Sequence, residues 1–289
     1  MISRKDNPNY APFYVVRKDN KTQKYYKKVT DHSSDAVFDA YKGTSLENHI
    51  DENGHITPAR QQLHNKILNT IFNGKKPAYT PSCYITAGGP GSGKGIILND
   101  YVKPSIQNLH NFVSINVDHI RILLPEYAEY LNEKDAEGMN KAAEKTHRES
   151  SYLADLALTY AESNKHDIIY DCTFSSEKHA KACEIMKANG YRMHLAGVLT
   201  SPEISMVAVR ERAARTGRDV PKHLVVSKNN ESKSVIGKIL MDKTNKVFDS
   251  IHLYDNDGML DKIEPKLIFK NGNVIDRFSF IKHMRDHIG

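Results

Sequence analysis

Two features of the sequence predict an α/β fold, a parallel sheet sandwiched by helices. From Thr57 onward, short apolar runs suited to buried strands alternate with helical segments. Between the first of these runs and the next helical segment lies a glycine-rich loop ending in lysine, the arrangement by which open α/β sheets hold anions at a helix N-terminus. A third observation bounds the size. The 289 residues, 39% of them hydrophobic, suffice for the core of one large domain or two small ones, which excludes a chain disordered throughout.

Charge and cysteines narrow the setting. Lys and Arg number 41 against 35 Asp and Glu, a formal surplus of six cations that suits a phosphate-bearing substrate but is common on ordinary enzymes. No apolar run approaches the ~20 residues that cross a bilayer, and MISRKDNPNY lacks the apolar stretch of a signal peptide. A cytoplasmic location, with no membrane partner, is therefore expected. Cys83, Cys172 and Cys183 form an odd, sparse set without a disulfide framework, and the two in strand-like runs are expected to pack as small hydrophobes.

Residues 1–55 are polar, with one β-like run, FYVVRK, and read as an N-terminal appendage to a domain spanning 56–289. Thr57 as N-cap, Pro58 at the first helical position, and Leu63, Ile67 and Ile71 at four-residue spacing predict an amphipathic helix. Strands are expected at CYITA (83–87), FVSINV (112–117), DIIYDC (167–172), MHLAGVL (193–199) and IHLYD (251–255). The tail KLIFKNGNVIDRF places Asn-Gly between two strand-like runs, predicting a hairpin followed by a short terminal helix.

The strongest motif is Gly88-Gly89-Pro90-Gly91-Ser92-Gly93-Lys94, a GxxxxGK loop directly after a strand and before a helix. Glycines let several backbone N–H groups converge on one concavity, the following helix adds its positive end, and Lys94 reaches the β- and γ-phosphates. The fold class is thus that of a P-loop NTPase or kinase, with ATP and Mg²⁺ as cofactors. One departure stands out: Gly95 occupies the position where Ser or Thr ordinarily ligates Mg²⁺. The metal must then be held by phosphates, water and an acid elsewhere.

Two strand ends supply acids. FVSINV runs into Asp118-His119-Ile120-Arg121, putting a carboxylate where ligands of open α/β sheets bind. Asp118 there either takes the proton of an acceptor hydroxyl or caps the helix that follows. Asp171-Cys172-Thr173 ends the next strand, resembling a Walker B, and either Asp118 or Asp171 is a candidate Mg²⁺ ligand. Farther on, SPEISMVAVRERAARTGRDVP predicts a helix starting at Ser201-Pro202 and ending at Gly217, its far end bearing Arg210, Arg212, Arg215 and Arg218. These arginines read as a lid clamping ATP phosphates or as a solvated helix end favoured by the macrodipole.

Taken in order, AGGPGSGKG, INVDHIR, THRESSYLADLAL, DIIYDCTFSS, RERAARTGRDVP and LYDNDG make the chain resemble the zeta-toxin family of P-loop kinases, over roughly Thr57 to Gly258. The resemblance implies a five-stranded parallel core and ATP-dependent phosphorylation of a sugar hydroxyl, with UDP-N-acetylglucosamine the best-known acceptor and NAD or other nucleotides used by related folds. It implies that Lys94 binds the phosphates, that Asp118 is the catalytic base, and that Arg212 and Arg218 contact ATP. His147 and Glu149 fall in the segment that lines the acceptor site, and Arg121, Asp171 and Thr173 are counted with them as acceptor-side residues. Toxicity to a target cell, its own or one into which the protein is delivered, and an antitoxin partner belong to the same expectation.

Other signals weigh less. Asn164-Lys165-His166-Asp167 and Asp135-Ala136-Glu137-Gly138 spell GTPase motifs, but neither follows a buried strand. His283 and His287, four apart on the terminal helix, read as a solvated face rather than a metal pair. The Lys- and Tyr-rich stretch Lys18 to Lys28 leaves a nucleic-acid-binding ATPase as a reading from a different class, although an exposed amphipathic strand explains it as well. A Ser-His-Asp hydrolase has no supporting elbow motif.

Overall fold

The computed structural model describes residues 42–50, 56–136, 138, 140–216, 219–242, 244 and 246–288. FYVVRK, the stretch Lys18 to Lys28 and Arg218 lie outside the described residues. In chain order the elements begin with α1 (Pro58–Phe72), β1 (Ser82–Ala87), α2 (Lys94–Ile96, continuing as a π-helical turn Ile97–Val102), β2 (Val113–Asn116), α3 (Val117–Arg121), α4 (Pro125–Tyr130) and α5 (Ala142–Ser163). There follow β3 (Ile168–Asp171), α6 (Glu177–Ala188), β4 (Arg192–Leu199), α7 (Pro202–Thr216), α8 (Lys222–Met241), β5 (Ser250–Asp255), β6 (Lys266–Lys270), β7 (Asn273–Val274) and α9 (Arg277–Met284). Among the described residues, the five runs expected as strands from Cys83 to Asp255 each form one. No helix of the described residues is long and apolar enough to cross a membrane.

The chain divides into two compact units, one reaching to Lys75 and resuming at Ile115–Asn164, the other made of Lys76–Ser114 and Lys165–Gly289. The second unit carries the sheet, ordered β2-β3-β1-β4-β5-β6-β7, with only the first half of β2 belonging to it. β1 pairs in parallel with β3 on one side and β4 on the other, and β4 pairs in parallel with β5. The order reverses at β1, and sheets of this kind bind ligands beyond the C-terminal ends of the strands at such a reversal. On one sheet face Ala196, Val198 and Tyr254 pack with Ile97, Leu98 and Val102 of α2. Gly197 points to the other face, where α8 brings Ile236 against it. The hairpin forms as the Asn-Gly signal requires: Asn271 (φ 48) and Gly272 (φ 90) are both left-handed, and Lys270 pairs with Asn273.

In the first unit α1 lies along α5, with Phe72 edge-on to Tyr160 at 4.8 Å. Its buried side is not the expected Leu63, Ile67, Ile71 stripe but Arg60, His64, Ile67 and Leu68, because two polar residues find charged partners inside. Thr57 makes no side-chain cap; its carbonyl accepts the Gln61 N–H at 2.9 Å, and Pro58 sets the first helical position. The boundary at residue 55 also shifts. Ser45 donates its N–H to the Lys145 carbonyl of α5 at 3.0 Å, and Leu46 and Ile50 are buried, so 45–50 belong to the packed unit rather than to an appendage.

Candidate phosphate-binding and acceptor residues

The loop after β1 is shaped by what surrounds it. Gly91 (φ 77) and Gly93 (φ 85) are left-handed, and a Cβ at either would overlap a neighbour, the Ser205 carbonyl for Gly91 and the Asn256 amide for Gly93. Several loop carbonyls are taken by protein donors: Pro90 by Asn229 Nδ2 (3.2 Å), Ser92 by Thr200 Oγ1 (3.1 Å) and Asn256 Nδ2 (2.9 Å). With those acceptors committed, the N–H groups of Gly91 and Gly93 donate to no described residue, a backbone arrangement that suits an anion. Lys94 folds back over the loop, its Nζ donating to the carbonyls of Gly88 (2.6 Å) and Gly89 (3.0 Å). Gly95 sits in open space, with nothing within 4 Å of where a Cβ would stand.

The end of β3 is tied to the same loop. Asp171 lies beside Thr86 in register and accepts its hydroxyl at 2.6 Å, while the Thr173 carbonyl accepts the N–H of Gly88 at 3.0 Å. Cys172 between them is a packed thiol, pushed up to about 12 by burial. On the other side α7 presses Ser205 and Val209 against Gly91. Two turns later it carries Arg212, half-buried, and the exposed Arg210 and Arg215, so the arginine helix is anchored on the loop it was expected to serve. Its first turn is held by Asp257, which accepts from the N–H (2.6 Å) and hydroxyl (2.5 Å) of Ser201.

In the first unit, three of the four expected residues meet. Asn116, not Asp118, caps α3: its Oδ1 accepts from the N–H of Asp118 (2.7 Å) and His119 (3.2 Å). The Asp118 carboxylate instead pairs with Arg121 Nη1 at 2.8 Å and is about two-fifths exposed. Arg121 is buried and reaches His147 Nδ1 on α5 through Nη2 at 3.3 Å. Glu149 departs from this group. Expected to line the acceptor site, it is 1% exposed and closed into a cluster where Arg60 holds both its oxygens (2.6 and 2.8 Å), with His64 Nε2 at 2.6 Å and Ser45 Oγ at 2.5 Å. The other edge of Arg60 grips Glu126 at 2.7 and 2.8 Å. Burial alone would raise the Glu149 carboxyl, but the His64 and Arg60 hydrogen bonds outweigh it and hold the group down at about 2.

Sequence reasoning missed Thr86, Thr200, Asn229 and Asn256, which position Asp171 and the loop. Thr200 and Asn256 each follow the last residue of a strand, so a search for polar residues just past every strand would have found them. Asn229 lies mid-helix and carries no such signal. The terminal histidines also differ from expectation: His283 is buried and pairs with Asp255 at 2.9 Å, since α9 packs inward. Asp255, Asp257 and His283 are close enough to share a cation, but Lys282 already sits 2.5 Å from Asp257, which makes this an ion-pair cluster. As for the GTPase motifs, Asn164 closes α5 and bonds back to Tyr160, and Asp167 accepts from Ser82 N–H, so neither reads a base.

A mixed sheet with parallel strands around β1, a lysine-bearing glycine loop at its end and an acid on the adjoining strand defines a P-loop kinase-like fold. The zeta toxin family model matches residues 66–262, and the chain belongs to that family. Among solved structures it is similar to the AvrRxo1-ORF1:AvrRxo1-ORF2 complex with ATP, at 18% identity over 87% of this chain and 77% of that one, TM-score 0.62. The same complex with sulphate ions matches at 19% identity over 80% and 74%, TM-score 0.61. The PezAT toxin–antitoxin system of Streptococcus pneumoniae matches at 18% identity over 86% and 87%, TM-score 0.55. At these identities the likeness shows the fold. Curated proteins give no sequence match.

Proposed function

We propose that the protein is an ATP-dependent kinase that transfers the γ-phosphate to a hydroxyl of a nucleotide-sugar such as UDP-N-acetylglucosamine. One observation carries the reading: the loop from Gly88 to Lys94 folds as an anion cradle at the C-terminal end of the central parallel strand, with Lys94 laid over it. In phosphoryl transfer the protein mainly positions the acceptor and stabilises charge. Lys94 and the loop N–H groups bind the phosphates, and Arg210, Arg212, Arg215 and Arg218 add positive charge from α7 and the segment after it. Asp118, whose capping duty Asn116 has taken, accepts the proton of the acceptor hydroxyl, and Arg121 orients its carboxylate. His147, Asp171 and Thr173 are the remaining acceptor-side candidates.

Magnesium fits the donors at hand, since carboxylate oxygens are its preferred protein ligands and the open space at Gly95 leaves room for water in place of a loop hydroxyl. Asp171, or Asp118, would hold it, and when bound it would neutralise charge on the phosphates. The family, together with neighbours described as a toxin–antitoxin system and as an ATP complex, supports ATP as donor and an antitoxin protein as partner. The reading places the reaction in a cytoplasm, that of its own cell or of a target cell. The second acceptor class is NAD or another nucleotide hydroxyl. A mass-spectrometric screen with ATP and Mg²⁺ against UDP-sugars, NAD and nucleosides separates the two: one added phosphate on a UDP-sugar supports the first, on NAD the second, and on nothing overturns both.

A further inference from the structure

The phosphate loop follows the C-terminal end of β1; on one face of the sheet a cavity of about 190 Å³ lies along Tyr84 to Thr86 of β1, His194 to Ala196 of β4 and alternate residues of β5 from Ser250 to Tyr254, roofed by α2. Its walls are aromatic. Tyr84 stacks on His194 with ring centroids 4.4 Å apart and planes 19° from parallel, and Tyr101 of α2 tilts against Tyr254 at 5.6 Å. His252 completes the rings on the sheet side, and Leu98 adds an apolar surface.

The polar atoms of these rings are mostly uncommitted. His194 Nδ1 bonds Ser250 Oγ at 2.8 Å, which leaves Nε2 as its second hydrogen-bonding atom. Among the described residues, the hydroxyls of Tyr84, Tyr101 and Tyr254 and both nitrogens of His252 have no hydrogen-bond partner. Burial lowers both histidines and raises Tyr84 and Tyr254, so the lining is uncharged at neutral pH yet able to donate and accept. A phosphate or carboxylate finds no cation among the lining residues, and a plain hydrocarbon would leave these polar atoms unmatched. The size decides the rest: a cavity of roughly 150 Å³ holds a benzene ring, and drug-sized ligands need about 300 Å³ or more.

We propose that this cavity is a second ligand site, taking an uncharged planar heteroaromatic ring of nucleobase size. Stacking on the Tyr84–His194 pair supplies the affinity, and the phenol and imidazole groups read the ring edge. The site also touches the phosphate loop's own helix. Leu98, Tyr101 and Val102 lie in the π-helical turn that continues directly from Lys94 to Ile96, and such turns recur at functional sites.

The test is a titration of the full chain with 2-aminopurine, whose fluorescence is quenched by stacking, with and without saturating ATP. Quenching is expected in both cases. It should weaken by at least about tenfold in apparent affinity in Ser105→Phe, which plugs the mouth from an exposed position, and in His194→Ala, which removes half of the stack. Far-UV circular dichroism establishes that each variant is folded, and Ser105→Phe carries the test where His194→Ala is not. Absence of quenching up to millimolar base, its complete loss with ATP, or equal affinity in wild type and Ser105→Phe would each overturn the proposal.

Discussion

The phosphate loop and the cluster around Glu149 use polar groups in opposite ways. In the loop, glycines remove side chains, neighbouring amides and hydroxyls take the carbonyls, and the N–H groups of Gly91 and Gly93 donate to no described residue. Around Glu149, Arg60, His64 and Ser45 hold a carboxylate that is shut away from water, and Glu126, part-exposed, takes the other edge of Arg60. The lesson is that a residue's chemistry does not reveal its job until its partners are known. The glycine loop is diagnostic because its spacing constrains a continuous stretch of backbone. A glutamate in a helix has no such local signature, and its partner Arg60 is 89 residues away.

The contrast predicts different failures. The largest is structural: Glu149→Ala leaves Arg60 buried against Glu126 alone, and should cost about 3–5 kcal/mol of stability in urea unfolding. A loss below about 1 kcal/mol would mean that the cluster is not a closed buried pair. On the other side of the comparison, Lys94→Ala should weaken ATP binding by about ten- to a hundredfold, the worth of a hydrogen bond to a charged group, with the unfolding midpoint little changed. Unchanged affinity in calorimetry would remove the phosphate-loop assignment.

A smaller effect sharpens the reading of Glu149 through pH. Its folded value is depressed, from the ordinary 4.5 to about 2, so its contribution is fully present above pH 4.5 and is lost as pH falls toward 2. Acid unfolding of Glu149→Gln should lack that component, and identical acid profiles would contradict the assignment. The smallest effect belongs to Gly95→Ser. Its Cβ meets open space, so stability should change by less than about 0.5 kcal/mol, with Mg²⁺ affinity kept or raised. Unfolding or lost nucleotide binding would show that the backbone needs glycine there.

Much of the sheet was legible because each buried parallel strand is an apolar run bounded by polar or turn residues, and the hairpin because Asn-Gly supplies two left-handed positions. The positions of the loop and Lys94 after β1, of Asp171 at the end of β3 and of Asp118 just past β2 were legible from the strand pattern, their roles being those proposed above. What was not legible depends on contacts between distant segments. Arg60 and His64 sit at helical spacing on the buried side of α1, yet periodicity assigned that side to Leu63 and Ile71, since a pattern of apolar residues gives no weight to a polar pair with a hidden partner. The boundary at 55 failed likewise: 45–50 are polar in texture, and Ser45 is bound by Glu149 and Lys145 of α5. Asn116 as the cap of α3 was readable in principle, because Asn two residues before Asp118 is itself a preferred cap.

The central claim is that Asp118 acts on the acceptor and not on ATP, and it is tested most directly by measuring phosphate transfer and ATP affinity together in wild type and Asp118→Asn, using the acceptor found in the screen. Transfer lowered by about 10²–10⁴-fold with ATP affinity unchanged is the predicted result. Transfer near the wild-type rate, or a loss explained entirely by weaker ATP binding, would contradict the assignment of Asp118 as the base.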